Sequence, residues 1–366
     1  MTVTYHAGRR IQGTQADFDG TPAVSGGWKE VGRTTLGSAG DTIDVTSLPD
    51  KRYYMVLTDI IASGTVGIRH RLGNSSIDTG SNYAIRSSYN GGADGSWASQ
   101  DYMYGSSGST SVGMFNIEYI ANKSDKEKLQ QNWNLVNSAT GAGTAPYRSE
   151  NVGKWANTSN VIDTLRQYNA LGGDFNTGSE VVVLGWDPAD THTTNFWEEL
   201  ADVNATGSES SFDTGAFTAK KYLCIQFYWK ATFTGAYTTM RVGNTTLDTG
   251  SNYAWRLSNN GGADGTGVNK SDGWYPVSGQ GSDSATDYYV FGNMFIINNA
   301  SNEKLGICHT NRWDGAGAGN ANARSEVAVK WADTTNQIDI VGLERAGGSA
   351  SGNYDSVSQI KVWGSN

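Results

Sequence analysis

Asp78-Thr-Gly-Ser-Asn-Tyr-Ala84 recurs letter for letter as Asp248-Thr-Gly-Ser-Asn-Tyr-Ala254, 170 residues later. Its surroundings repeat with it. Arg71-Leu-Gly-Asn74 becomes Arg241-Val-Gly-Asn244, and Asn90-Gly-Gly-Ala-Asp-Gly95 becomes Asn260 to Gly265. Further on, Arg148-Ser-Glu150, Lys154-Trp-Ala156 and Asn160 to Asp163 return as Arg324-Ser-Glu326, Lys330-Trp-Ala332 and Asn336 to Asp339. The offset has grown to 176, which places insertions in the second copy around Gly265 to Asp287. A single duplication of this size differs from a solenoid, whose units run to about 20–50 residues. It divides the chain into an arm (1–25), a first repeat (26–190) and a second repeat (195–366).

Within each copy the strong segments read as strands. Arg52-Tyr-Tyr-Met-Val-Leu57 and Lys221-Tyr-Leu-Cys-Ile-Gln-Phe227 are rich in aromatic and β-branched residues. Val66 to Leu72 alternates apolar and polar residues, the period of a half-buried strand. Val112 to Ile120 and Tyr288 to Ile297 are another counterpart pair of strands, and Glu180-Val-Val-Val-Leu184 predicts a strand buried on both faces. Asn-Gly-Gly and Ser-Gly turns punctuate these runs. Asn195 to Leu200 is the best helical stretch, but its counterpart after Trp28 is poor helix material, so an irregular edge strand is expected for both. The composition agrees: 47 glycines, 5 prolines and 17% charged residues suit short strands and tight turns. The expected fold class is all-β, with two tandem jelly-roll-like β-sandwich domains and an N-terminal arm.

The net charge of −9 disfavours a nucleic-acid partner. No apolar run is long enough for a transmembrane helix, and the first residues lack the apolar core of a signal peptide. Cys224 and Cys308 fall at non-equivalent positions, so two thiols are expected rather than a disulfide framework.

The search for chemistry returns mostly structural readings. His6, His70, His192 and His309 are not duplicated, and none stands at metal-ligand spacing. Neither a nucleophile elbow nor a zinc-protease motif occurs. Glu150, Asp163, Glu326 and Asp339 could serve as glycosidase carboxylates. Their basic neighbours Arg148, Lys154, Arg324 and Lys330 instead predict structural ion pairs kept in both copies. The Asp-Thr-Gly-Ser stretch resembles an aspartic-protease motif but lacks its apolar frame, and reads as a turn capped by its own Asp. No cofactor is expected. Calcium is the candidate ion, through Asn90, Asp94, Asn260 and Asp264 in glycine-rich turns, with plain turn geometry as the simpler account. Tyr89, Trp97, Tyr102, Tyr104, Trp274 and Tyr275 cluster in the most divergent loops, where exposed aromatics would stack on sugar or anchor a partner.

Ala7-Gly-Arg-Arg-Ile-Gln12, Asp41-Thr-Ile-Asp44, the two Asp-Thr-Gly-Ser-Asn-Tyr loops, Gly141-Ala-Gly-Thr-Ala-Pro146, Lys154-Trp-Ala-Asn-Thr158 and His192 to Glu199 resemble a group of uncharacterised virion-associated proteins of marine viruses and phages. That resemblance implies a non-enzymatic structural protein on the virion surface: a capsid decoration, spike or fibre component, made in the host cytoplasm. It would be a homo-oligomer, with a trimer favoured, attached to other virion proteins through residues 1–25 and Arg9-Arg10. Two alternatives stand beside it: a lectin-like module for a glycan receptor, and a double jelly-roll major capsid protein. No membrane insertion is expected.

Overall fold

The computed structural model describes residues 24–25, 27–105, 109–110, 112–188, 190–192, 194–231, 237–276, 288–313, 316–347 and 351–366. These form antiparallel β-structure, with no helix among the described residues. Arg9 and Arg10 lie outside the described residues. Val24–Ser25, at the end of the arm, pairs with Thr191–His192 of the connector.

The first half builds a nine-stranded sheet. Its main path runs Lys29–Thr35, Glu180–Trp186, Tyr53–Ser63, Gly113–Ala121, Lys128–Asn137, Tyr147–Trp155, Tyr83–Tyr89 and Gly95–Gln100. A smaller sheet packs on its inner face, in the order Met103–Tyr104, Ile68–Asn74, Thr164–Asn169, Thr42–Val45. The second half has an eight-stranded sheet in the corresponding order: Glu198–Asn204, Gln359–Ser365, Tyr222–Ala231, Tyr288–Ile297, Lys304–Arg312, Ala323–Trp331, Tyr253–Asn259, Gly265–Lys270. Its small sheet runs Ser211–Asp213, Ile340–Ala346, Tyr237–Asn244, Thr246–Leu247. The sheets of each sandwich are unequal in size, unlike the balanced pair of a simple jelly roll. Lys29–Thr35 and Glu198–Asn204 are edge strands, and each carries a bulge where it pairs. Bulges at exposed edges discourage further pairing.

The two large sheets also pack on each other. Along Glu180–Trp186, Val181 and Val183 enter the first sandwich core, while Val182 and Leu184 enter a separate layer between the halves. That layer unites Met55, Leu57, Phe115, Ile117 and Leu135 with Tyr222, Phe295, Ile297, Leu305, Ile307 and Ala328. The described residues therefore form four layers of sheet around three apolar cores. Each large side chain withdrawn from water in the middle layer contributes about 1.5–3 kcal/mol, which binds the halves into one body.

Counterpart strands stack on each other: Lys128–Asn137 lies on Lys304–Arg312, and Tyr147–Trp155 on Ala323–Trp331. Trp133 meets His309, its own counterpart, edge to face with centroids 5.0 Å apart. Near the end of its strand Asp59 meets Lys221 and Asn299, just outside the opposite ends of the second-half strands. The arrangement approximates a two-fold axis near Trp133 and His309.

Candidate functional site

The repeated hexapeptide is a turn lock. Asp78 accepts from the Gly80 amide (2.8 Å), the Asn82 side chain (2.8 Å) and the Trp155 indole (2.8 Å). The Tyr83 hydroxyl donates to the Leu72 and Asp78 carbonyls. Asp248, Gly250, Asn252, Trp331 and Tyr253 make the same set. Burial opposes ionisation of Asp78, but the Trp155, Gly80 and Asn82 donors outweigh it and hold its carboxyl below the ordinary range. Both aspartates are occupied by protein donors, which explains the repetition without catalysis. Asp78→Ala strands the buried Trp155 N–H and should cost about 1–3 kcal/mol in a denaturant titration; a change within about 0.5 kcal/mol would contradict this.

Asp163 and Asp339 were expected in ion pairs and are corrected to turn caps. Each accepts from the amide of a left-handed residue, Ser75 (2.7 Å, φ 61°) and Thr245 (2.6 Å, φ 63°). A short carboxylate side chain there satisfies an amide that the tight turn leaves unpaired.

The calcium candidates also have protein partners. Asn90 and Asn260 begin Asn-Gly turns with positive φ at both central residues, and their side chains accept from the Arg148 and Arg324 amides. Asp94 sits 3.7 Å from Arg86 on the surface. The Asp264 side chain is buried, with Arg148 at 2.9 Å across the inter-half seam. These oxygens are thus committed to amides and guanidinium groups. Among the described residues no three His, Cys, Asp or Glu side chains gather as metal ligands.

Arg148 anchors the seam. It reaches Glu150 (2.8 Å), Asp264 (2.9 Å) and Glu326 (3.3 Å). Its counterpart Arg324 pairs with Glu326 but keeps its side chain 60% exposed. Lys154 pairs with Glu127 at the surface (2.8 Å). Lys330 is fully buried, with Asn137 (3.1 Å) and the Ala139 carbonyl (2.9 Å) of the first half. Burial raises the Glu150 carboxyl, with the nearby Arg148 and Arg324 opposing. Glu150 and Glu326 therefore lie at the inter-half seam, and Asp163 and Asp339 in turns.

The aromatic candidates divide. Trp274 is fully buried, edge-on to Tyr253 at 5.8 Å, and its indole donates to the Lys330 carbonyl at 2.8 Å. Its expected role as a contact residue is corrected: the segment folds back between the sheets, bridging to Met240. Tyr275 is half-buried against Trp255 and Tyr237. Tyr102 is buried under the Arg69 guanidinium, 3.9 Å over its ring. Tyr89 and Trp97 remain open, each 39% exposed.

Those two, with Tyr104, Arg69, Ser87, Gly95, Ala170 and Leu171, line a cleft of about 430 Å³. Trp97 also forms one side of a second cleft, of about 600 Å³, beside Ala84, Arg86, Leu129, Val152 and Lys154. The Trp97 ring lies over Gly95, where a Cβ would come within 2.4 Å of it, so glycine is needed for this pose. Trp97 contacts Tyr104 edge-on at 5.2 Å, and Tyr104 contacts Tyr102 at 5.3 Å, a chain that ends on Arg69. Burial and the Tyr102 hydroxyl raise Tyr104 to about 12, so it stays a neutral donor and acceptor at ordinary pH. The sequence singled out Trp97 and Tyr89 but missed Arg69 and Leu171, which come from the small-sheet side and have no local signal.

Buried polar groups separate the halves further. His70 and Glu118 pair inside the first sandwich at 2.6 Å, with Gln130 and Gln167 donating to Glu118. The second sandwich has Met294 and Leu343 at the counterparts of Glu118 and Gln167. Cys224 and Cys308 are unbridged, and burial raises both thiols. No helix of the described residues is long and apolar enough to cross a membrane. Comparison with family models, curated proteins and solved structures finds no match.

Proposed function

We propose that this chain is a non-enzymatic binding protein that holds a carbohydrate in the Trp97–Tyr89 cleft and is displayed as a structural component of a virion surface. The observation that carries the binding reading is the pair of half-exposed aromatic rings flanking a cleft of about 430 Å³. Aromatic faces stack on the apolar faces of sugar rings, and the Arg69 guanidinium and Ser87 and Tyr104 hydroxyls offer orienting hydrogen bonds. The rings are pre-ordered by Gly95, Tyr104 and Tyr102, so little side-chain freedom is lost on binding. The non-enzymatic reading is supported by the occupied candidate carboxylates: Asp78 and Asp248 in turn locks, Asp163 and Asp339 as caps, and Glu150 and Glu326 on Arg148.

A glycan array with the full chain tests the binding reading. Trp97→Ala should weaken any bound sugar at least tenfold, about 1.4 kcal/mol, while leaving the unfolding midpoint nearly unchanged, because the ring is half in water. A blank array, or full binding by the variant, would sink it. The virion placement rests on the sequence resemblance and on the acidic composition, which suits a particle exterior. Labelled antibody against this chain should decorate intact particles; particles that lack the chain would end that placement.

A further inference from the structure

The approximate two-fold is satisfied at one end of the inter-half seam and not at the other. At the satisfied end, the first-half loop 137–147 is seated in a socket on the second half. Glu303 accepts from the Asn137 side chain and the Gly141 amide, and Lys330 donates to Asn137 and to the Ala139 carbonyl. The Asn269 amide donates to the Ala142 carbonyl (2.9 Å). Arg256 donates to the Pro146 carbonyl (2.7 Å) and lies over the Tyr147 ring at 5.4 Å. Asp264 takes Arg148.

Every socket residue has its counterpart in the first half. Glu303, Lys330, Arg256, Asp264 and Asn269 correspond to Glu127, Lys154, Arg86, Asp94 and Ser99. Even the backbone agrees: Ser99 has φ 53° and Asn269 φ 48°. The plug is duplicated in its glycines and its arginine, while Trp313, Asn322 and Ala323 stand where the first copy has Asn137, Pro146 and Tyr147. Gly141-Ala-Gly143 returns as Gly317-Ala-Gly319, with φ 78° at Gly141 and 81° at Gly317, and Arg148 returns as Arg324.

Yet this second plug and second socket do not meet within the chain. Residues 316–322 are exposed, whereas Ala142, Ala145 and Pro146 of the seated plug are buried. In the second socket Glu127 and Lys154 pair with each other, and Arg86 with Asp94, all at the surface. The floor between them is bare: Leu129 is 58% and Val152 49% exposed, against 4% and 1% for their counterparts Leu305 and Ala328. Leu129 and Val152, with Arg86 and Lys154 of those rims, line the cleft of about 600 Å³ beside Trp97.

We propose that this socket receives the 316–324 plug of a second copy of the same chain, so that the seam closed once inside each chain is closed again between chains. The occupant follows from the page. The seated pair shows that a Gly-Ala-Gly loop with a following Arg fits this set of residues, and each chain carries one further loop of that form. Charge agrees, with exposed Arg324 offered to Asp94. Leu129 and Val152, now exposed, would lie beneath the incoming loop. A contact of different patches of this kind either closes reciprocally or runs head to tail.

The full chain should therefore sediment at a multiple of 39.1 kDa, in a concentration-dependent manner. Arg86→Asp with Lys154→Glu removes the socket, and Ala318→Trp blocks the plug; all three sites are at the surface, so folding should be unaffected. Each variant alone should run as a monomer, and mixing the two should restore pairing, since one supplies the plug and the other the socket. A wild-type chain that is monomeric throughout, or an assembly indifferent to both variants, would overturn the proposal. So would a Ser99→Cys, Ala318→Cys chain that crosslinks within single molecules, because the plug would then close on its own chain. The readout is independent of sugar binding.

Discussion

Arg148→Ala should lower stability by about 3–5 kcal/mol, whereas Arg324→Ala, the same residue in the other half, should cost less than about 1 kcal/mol. The difference lies in burial and in what each removal leaves behind. Arg148 is buried and faces Glu150, Asp264 and Glu326, and the side chains of Asp264 and Glu326 are themselves buried. Deleting it leaves neighbouring carboxylates sharing a seam of low polarity, where like charges and lost hydrogen bonds both count. Arg324 is held by Glu326 but is largely solvated, so water replaces it. Urea unfolding of both variants at neutral pH checks this. Equal effects would mean that the two ends of the seam are energetically alike.

Glu180→Gln should cost about 3 kcal/mol at neutral pH, and the cost should vanish near pH 2. Glu180 sits where the halves meet, accepting from Arg33 (2.9 Å), Lys221 (3.0 Å), the Tyr222 hydroxyl (2.7 Å) and Thr35. Burial by itself would raise its carboxyl, but the Thr35, Lys221 and Tyr222 contacts prevail and hold it at about 2. A carboxyl lowered on folding adds stability that is fully present above its unfolded value of about 4.3 and is lost as pH falls toward the folded value. The shift of about 2 units or more corresponds to the stated 3 kcal/mol. Glu118 acts in the same sense: burial opposes its ionisation, but His70, Gln167 and Gln130 take it below the ordinary range. Acid should therefore loosen the first half and the seam before the apolar second sandwich. If wild type and Glu180→Gln keep a constant stability gap from pH 7 to pH 2, the assignment of Glu180 fails.

Much of this fold was legible. The Asp-Thr-Gly-Ser-Asn-Tyr and Lys-Trp-Ala segments report one device, an Asp that receives an indole N–H and closes a turn, and their repetition follows from that geometry. Asn90-Gly91 and Asn260-Gly261 announced tight turns because both need positive φ. Val181 to Leu184 reads as a strand buried on both faces, and its second apolar face requires a second sheet above it. The counterpart Lys361 shows why the packing itself stayed hidden, since the two large sheets present different residues to the shared layer. Asp94 and Asp264 illustrate the limit. Their motifs are identical, yet one faces water and the other is buried under Arg148, because only tertiary packing separates them. Trp274 is hard to place from sequence for a related reason: the insertion beside it obscures the repeat, and aromatic character alone does not say whether a loop ring faces in or out.

The most direct test of the binding account is the Trp97 indole N–H in a nuclear magnetic resonance titration of the full chain with the sugars that an array retains. Among the 12 tryptophans, Trp97 should shift progressively, with buried Trp229, Trp274 and Trp331 unmoved, and the shifts should disappear in Trp97→Ala. A sugar that binds while the Trp97 signal stays in place would contradict the central claim.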